Sequence, residues 1–372
     1  MKLAIISHTE HYKDAQGRIV GWGPTVSELN HLAEHFDTIY HVAMLHTSEA
    51  PPSSLPYLHS NIIFVPLPPS GGTTALSKLK ILGQAPKTIA VVEKTLKKAD
   101  AFQLRVPTGI GVYLIPYLTY FSKKRGWYKY AGNWNQANAP LGYRWQRSLL
   151  KKQSRKVTIN GTWPEQPKHC FTFENPCLTL EERNEGVKVI QQKTYEAPFT
   201  FCFVGRLDDA KGVQRIIDGF SLLDFKFVKT IHFIGNGDKM ETYKEQCTAL
   251  GLPAIFHGFL PRDKVFEIYR ASSFLLLPST ASEGFPKVIA EGMNFGCIPI
   301  VSNVSSIGQY VNANNGYVVS PSAEGIAGIF QEIEKETSQV FKKKATQGYA
   351  TASKFTFAHY NRRIEQDILS LK

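Results

Sequence analysis

Apolar runs and polar breaks alternate along the chain in two successive series. KLAIIS (2–7) is a short apolar run with polar flanks, the pattern of a strand buried on both faces. The glycine-bearing stretch GRIVGWGPTV reads as a loop after it, and SELNHLAEHF as a helix. TIYHVAML, NIIFVPL, ADAFQLRV, WYKYAGNW and KVTIN read as further strands. TALSKLKIL, KTIAVVEKTLKKAD and LGYRWQRSLLKKQ read as the helices between them. Residues 176–198 are polar and weakly periodic, which suits a linker. A second series then begins. FTFCFVG, KTIHFIG, PAIFHG, FLLLPS and IPIVSN are strand-like, and each of the first four is followed by a helical stretch: GVQRIIDGFSLL, KMETYKEQCTAL, RDKVFEIYRAS and PKVIAEGMNFG. Strand–helix alternation is the signature of parallel sheets with crossover helices. The expectation is an α/β protein of two doubly wound domains facing across a cleft, over residues 1–180 and 181–352. A terminal helix over about 353–372 should pack back on the first domain.

Length agrees, because 372 residues exceed what one core usually holds. With 43% hydrophobic and 20% charged residues, the composition is that of a globular protein. No apolar run reaches the roughly 18 residues of a membrane span. MKLAIIS passes directly into HTEHYKD without a cleavage pattern, so it reads as a strand and not as a signal peptide. The five cysteines form no C-x-x-C pair, which favours buried thiols in a reducing, cytoplasmic compartment. Charge changes the picture more. Residues 1–180 carry 21 Lys and Arg against 10 Asp and Glu, and residues 181–372 carry 22 against 21. The first half therefore presents a positive field suited to an anionic surface or substrate.

The chemistry concentrates at strand ends, where open α/β sheets place their ligands. In VGRLDDAKG (204–212), Gly205 permits a tight bend, and Arg206 and Lys211 deliver two cations suited to phosphate. FIGNGD carries Gly235 at another strand end, but lacks the third glycine of a dinucleotide fingerprint. In SEGFPKVIAEGM (282–293), Pro286 suits the first helical position, with Glu283 before the helix and Glu291 inside it. Gly284 and Phe285 offer N–H groups at a helix start, a natural anion site. Two carboxylates flanking such a site suit the vicinal hydroxyls of a polyol better than an acid/base pair.

Taken in order, GRL-x3-KG, G-N-G-D, H-G-F-L (257–260) and P-S-x4-E-G-F-P-K-V-I-A-E-G-M resemble the retaining glycosyltransferases of family 4. The resemblance covers roughly residues 198–320, and it implies two Rossmann-like domains in the GT-B arrangement. It implies that Arg206 and Lys211 hold the diphosphate of a nucleotide-sugar donor, that Glu291 binds the ribose, and that Glu283 with Gly284, Phe285 and Pro286 contacts sugar and diphosphate. Gly205 and Gly235 would line the same donor site, and His257, Gly258 and Phe259 would lie against the base. No metal and no cofactor are implied. In the first half, Gly21 and Gly23 match a glycine loop near the donor phosphate and acceptor. His8, Trp22, Arg105 and Asn133 are the acceptor-side candidates, without an assigned general base.

HTEH (8–11) reads as a polar loop instead of a metal site, since no second ligand cluster accompanies it. LGYRWQRSLLKKQSRK, if helical, gathers Trp145, Leu149 and Leu150 among Arg144, Arg147, Lys151, Lys152 and Arg155. That suits either an anionic membrane surface or an ordinary core-facing helix. The expected function is sugar transfer from a nucleoside-diphosphate sugar to a glycan or lipid-linked acceptor at the inner membrane face, in cell-surface polysaccharide synthesis. The alternatives are a same-fold nucleotide-sugar epimerase and a non-catalytic basic binding protein. Nucleic acid is not an expected partner, as no motif for it accompanies the charge.

Overall fold

The structure, a computed structural model, describes residues 1–72, 74, 80–224 and 226–370. It divides into two units: residues 1–175 with 360–372, and residues 176–359. The helix expected over residues 74–82 falls mostly outside the described residues.

Unit 1 holds β1 (Lys2–Lys13), β2 (Ile19–Trp22), α1 (Gly23–Leu32), β3 (Thr38–Leu45), β4 (Ser54–Pro56), β5 (Ile62–Leu67) and α2 (Ala85–Leu96). After these come β6 (Ala101–Val106), α3 (Gly111–Tyr120), β7 (Arg125–Tyr130), α4 (Leu141–Lys152), β8 (Val157–Ile159) and β9 (Cys170–Thr172). The parallel path runs β5-β3-β1-β6-β7-β8-β9, with β2 antiparallel on the distal half of β1 and β4 antiparallel on the outer edge of β2. β1 shows why its first half is apolar throughout. Leu3 and Ile5 enter one core with Leu29, Leu32 and Trp127, while Ala4 and Ile6 enter another with Phe102, Leu114 and Tyr128. Alternating side chains thus serve two covered faces.

Two expectations for this region need correction. HTEH is not a loop, because β1 continues through Lys13 after a register shift between Ile6 and Glu10. The glycine stretch is also not a loop. It forms β2, and α1 starts at Gly23 with Pro24 in its first turn. Gly21 pairs with His11, whose ring occupies the space a Cβ there would need. A glycine that looks like loop punctuation in sequence is here a close approach within a sheet.

Unit 2 holds α5 (Leu180–Gln192), β10 (Phe199–Val204), α6 (Val213–Ser221), β11 (Val228–Ile234), α7 (Met240–Ala249), β12 (Ala254–Phe256) and α8 (Arg262–Ala271). It continues with β13 (Phe274–Leu277), α9 (Lys287–Asn294), β14 (Ile298–Ser302), β15 (Tyr317–Val319), α10 (Ala323–Ile333) and α11 (Ser338–Ala352). Its six strands are all parallel in the order β12-β11-β10-β13-β14-β15, the doubly wound Rossmann order. Residues 176–198 are not a linker, since α5 fills most of them. A capping box starts that helix: Thr179 accepts from the Glu182 N–H, and the Glu182 carboxylate accepts from the Thr179 N–H. The apolar stripe is weak because α5 buries Arg183 and Gly186 beside Ile190, with Gly186 pressed against Asn294.

The last helix, α12 (Phe357–Arg363), leads into a π-helical turn over Ile364–Leu369. Tyr360, Ile364, Ile368 and Leu369 complete the unit 1 core that contains Trp127.

Candidate functional site

Four loops of unit 2 converge at the carboxyl ends of β10, β11, β12 and β13. Short backbone bonds stitch them together: Gly205 N–H to Ile234 O at 3.0 Å, Leu207 N–H to Asn236 O at 2.9 Å, and Gly235 N–H to Gly258 O at 2.8 Å. Gly235 has φ +128°, and a Cβ there would collide with the Gly205 carbonyl. Only glycine lets these two loops touch.

Within this frame the side chains are individually placed. Arg206 projects into solvent, 68% exposed, with Nε 3.2 Å from Asp208 Oδ2. Asp208 Oδ1 also accepts from the Lys211 N–H at 2.8 Å, which shapes the turn before α6. Lys211 Nζ is ion-paired with Glu283 Oε1, joining the β10 loop to the β13 loop. Pro286 is the residue preceding α9, with extended backbone, so the helix begins one residue later than its sequence position suggests. The Phe285 ring is buried in a stack with Phe355 at 4.5 Å and against Tyr310 at 5.0 Å. That anchor leaves the backbone of Gly284 and Phe285 at the helix start.

Glu291 is 8% exposed, and its Oε1 accepts from Arg262 Nη1 at 2.6 Å. Arg262 also donates to Glu182 Oε1 and Oε2, at 3.0 and 3.1 Å, and to the Cys177 carbonyl. Burial alone would lower the affinity of Arg262 for its proton, yet Glu291 and Glu182 raise it above its ordinary value. The guanidinium is thus a permanent cation that fixes one carboxylate oxygen of Glu291. Sequence reasoning missed Arg262. Its partners lie 29 and 80 residues away, so no local spacing signals the cluster.

A cavity of about 250 Å³ opens beside these loops between Val204, Ile234, Leu260 and Val265, with Gly205, Arg206, Gly235, Asn236 and Phe259 completing its wall. Apolar walls edged by backbone groups suit a flat, partly polar ring. His257 lies next to this wall, its Nε2 2.9 Å from Nδ1 of His232. Burial lowers the pKa of both, that of His232 to about 4 with His257 adding to it, so the pair is neutral near pH 7. Gly258 takes φ +67° in the same turn.

The unit 1 candidates do not assemble in the same way. Arg105 does not face open space: it is buried, giving Nη2 to Glu28 at 2.8 Å and Nε to Gln103 at 2.9 Å. Lys129 Nζ holds the other side of the same carboxylate at 2.7 Å and reaches Tyr360 at 3.1 Å. Gly23 opens α1, with space for a Cβ closed by the Ser53 carbonyl at 2.7 Å. Trp22 is 53% exposed beside it. Asn133 shapes a turn by accepting from the Asn135 N–H at 3.0 Å. His8 lies within β1 instead of at its end, 2.9 Å from Ser70 Oγ.

The basic helix α4 shows features of both of its sequence readings. Leu150 is buried, Arg147 donates to the carbonyls of Trp134 and Gln136, and Arg155 donates to those of Lys124 and Ser122. Arg144, Lys151 and Lys152 stay exposed, near exposed Leu141 and Trp145. Among the described residues no helix is long and apolar enough to cross a membrane.

Comparison with known proteins places this geometry. Residues 188–351 match the family described as Glycosyl transferases group 1. An uncharacterized glycosyltransferase of Methanocaldococcus jannaschii is 28% identical over 122 residues, 32% of this chain and 31% of that protein. An uncharacterized glycosyltransferase of Haemophilus influenzae is 31% identical over 144 residues, 38% of each chain. The matches therefore span less than two fifths of these curated relatives. Among solved structures, Anabaena HepE in complex with UDP and glucose superposes with a TM-score of 0.73 over 100% of both chains, at 17% identity. A sucrose-phosphate synthase from Thermosynechococcus elongatus does so with a TM-score of 0.73 over 100% of this chain and 99% of its own, at 14% identity. These likenesses establish the fold. The chain has two Rossmann-like units, the fold of its GT-B structural neighbours, and its second unit contains the residues that match the Glycosyl transferases group 1 family.

Proposed function

We propose that the protein is a retaining glycosyltransferase of the family 4 type. It would move a hexose from a nucleoside-diphosphate sugar to a glycan or lipid-linked acceptor, in cell-surface polysaccharide synthesis. The observation that carries this reading is the Lys211–Glu283 pair, set beside the Gly284–Pro286 helix start and backed by Glu291. That arrangement offers cations and N–H groups to a diphosphate and carboxylates to sugar hydroxyls. The Anabaena HepE structures hold UDP, UDP with glucose, and UDP-glucose, which supports a nucleotide sugar as donor.

In this reading the base enters the Val204–Val265 cavity and Glu291, oriented by Arg262, accepts the ribose hydroxyls. Arg206 and Lys211 close on the diphosphate and stabilise the charge that grows on the leaving nucleotide. Glu283 exchanges its ion pair for the donor sugar. The protein supplies charge and position, with no resident metal in the scheme. The exposed cations Arg144, Lys151 and Lys152, beside Leu141 and Trp145, support a peripheral contact with an anionic membrane at the cytoplasmic face.

A screen of UDP-, GDP- and ADP-sugars with glycan and lipid-linked acceptors, followed by NMR of the product anomer, tests the reading. Transfer with the donor's anomeric configuration kept is the expected result. An inverted anomer overturns the retaining assignment, and an epimerised free donor favours the epimerase.

A further inference from the structure

A cavity of about 480 Å³ in unit 1 lies outside the machinery described above. It is lined by His8, Glu10, Met44, His46 and the segment 69–72, from β1 and from the ends of β3 and β5. Carboxyl ends of parallel strands are where open α/β sheets bind ligands, and the volume is in the range of small-molecule sites.

Its polar groups are fixed in place. His8 Nε2 sits 2.9 Å from Ser70 Oγ, and the Glu10 carboxylate accepts from Tyr12 OH at 2.7 Å. Backbone confines the His8 ring from two sides: a Cβ on Gly71 or Gly109 would lie 3.7 or 3.4 Å from Cε1. His46 Nε2 is shielded from solvent and has no hydrogen-bond partner among the described residues.

Charge selects the ligand class. Among the described residues the lining contains no lysine or arginine, although residues 1–180 carry a clear excess of both. Burial lowers the His8 pKa, so its ring is neutral near pH 7, and among the described residues Glu10 is the one carboxylate in the lining. A phosphate or carboxylate entering here would meet the Glu10 carboxylate with no described lysine or arginine to offset it. Nor do the described residues include three ligands disposed for a metal ion. Hydroxyl groups, by contrast, find an acceptor in Glu10 and donor–acceptor partners in His46, His8 and Ser70.

We propose that this cavity is a subsite that takes a neutral, hydroxyl-rich sugar of the acceptor and rejects a charged one. The identification of that sugar as acceptor rests on the transferase reading. Any anionic part of the acceptor is then held by the basic surface elsewhere on unit 1.

Saturation-transfer NMR on the full chain tests this with methyl glycosides of glucose, galactose and mannose, and with glucose 6-phosphate as the charged counterpart. At least one methyl glycoside should bind, weaken tenfold or more in Glu10→Gln and His46→Ala, and be lost in Ser70→Trp, which fills the cavity. Glucose 6-phosphate should bind more weakly than the matching glycoside. Titration of the same variants with whichever of UDP, GDP and ADP the wild-type chain binds should be unchanged, which reports folding and the unit 2 site. The proposal is overturned if a chain that binds one of these nucleotides binds no methyl glycoside, if Ser70→Trp leaves binding intact, or if the phosphate binds more tightly. Glycoside binding without binding of any of the three nucleotides would keep the subsite and remove the transferase reading.

Discussion

The two units use their cations in opposite ways. In unit 2, Arg206 and Lys211 stand on loops at strand ends, one open to solvent and the other paired with a carboxylate on a neighbouring loop. In unit 1, Arg105 and Lys129 are buried on adjacent strands and share Glu28, while Arg147 and Arg155 hold backbone carbonyls. A cation on a loop can be handed to a ligand. One buried against a carboxylate belongs to the framework, because removing its partner strands a charge in low dielectric. Net charge alone therefore overstates how much of unit 1 is offered to an anionic partner.

This contrast can be broken in four ways. The largest effect is expected in unit 1, where Glu28→Ala strands Arg105 and Lys129 and should cost about 3–5 kcal/mol of stability. Chemical denaturation measures the loss, and UDP binding to the molecules still folded should be unaffected. In unit 2, Lys211→Ala should leave the melting temperature within a few degrees while lowering kcat roughly 10²–10³-fold, the scale of a lost transition-state charge partner. Similar losses of stability in both variants would erase the distinction.

The third test uses pH. Burial holds His11 down to about 4 against an ordinary 6.5, and holds His41 beside it well below the ordinary value too. The unfolded ring takes up a proton as pH falls through 6.5, and the folded ring does so only near 4. Stability should therefore be intact above pH 7 and fall across the interval from 6.5 to 4, by roughly 3 kcal/mol for His11. Melting curves at pH 7 and pH 5 check this, and His11→Phe should flatten the dependence. The smallest effect concerns Arg262, a residue that acts through Glu291. Arg262→Gln should raise the donor KM about tenfold with kcat little changed, the size of one charge-assisted hydrogen bond. Arg262→Lys should recover part of it, and a fall in kcat alone would contradict a positioning role.

Unit 2 was far more legible in sequence than unit 1. The residues of its candidate site lie on short loops after apolar strands or, for Glu291, in the helix that follows, so Arg206, Lys211, Glu283 and Glu291 appear in sequence as local motifs. What stayed hidden there is tertiary. Arg262 meets Glu291 and Glu182 only after folding, and α5 hides its helical period behind a buried arginine and glycine. Unit 1 shows the reverse. Its strands were readable from KLAIIS onward, but Arg105 read as a site residue because only the fold brings Glu28 beneath it. The cavity at His8, Glu10 and His46 is assembled from β1 and the ends of β3 and β5, three segments well separated in sequence.

The central claim is that unit 2 is a nucleotide-sugar site built on Lys211, Glu283 and Glu291. Calorimetric titration of UDP, GDP and ADP into the wild-type chain, Lys211→Ala and Glu291→Ala measures it most directly. One nucleotide should bind the wild-type chain with a marked preference over the other two, and both variants should bind it at least tenfold more weakly while remaining folded. Absence of binding by all three nucleotides to the folded wild-type chain, or equal binding by wild type and both variants, would contradict the claim.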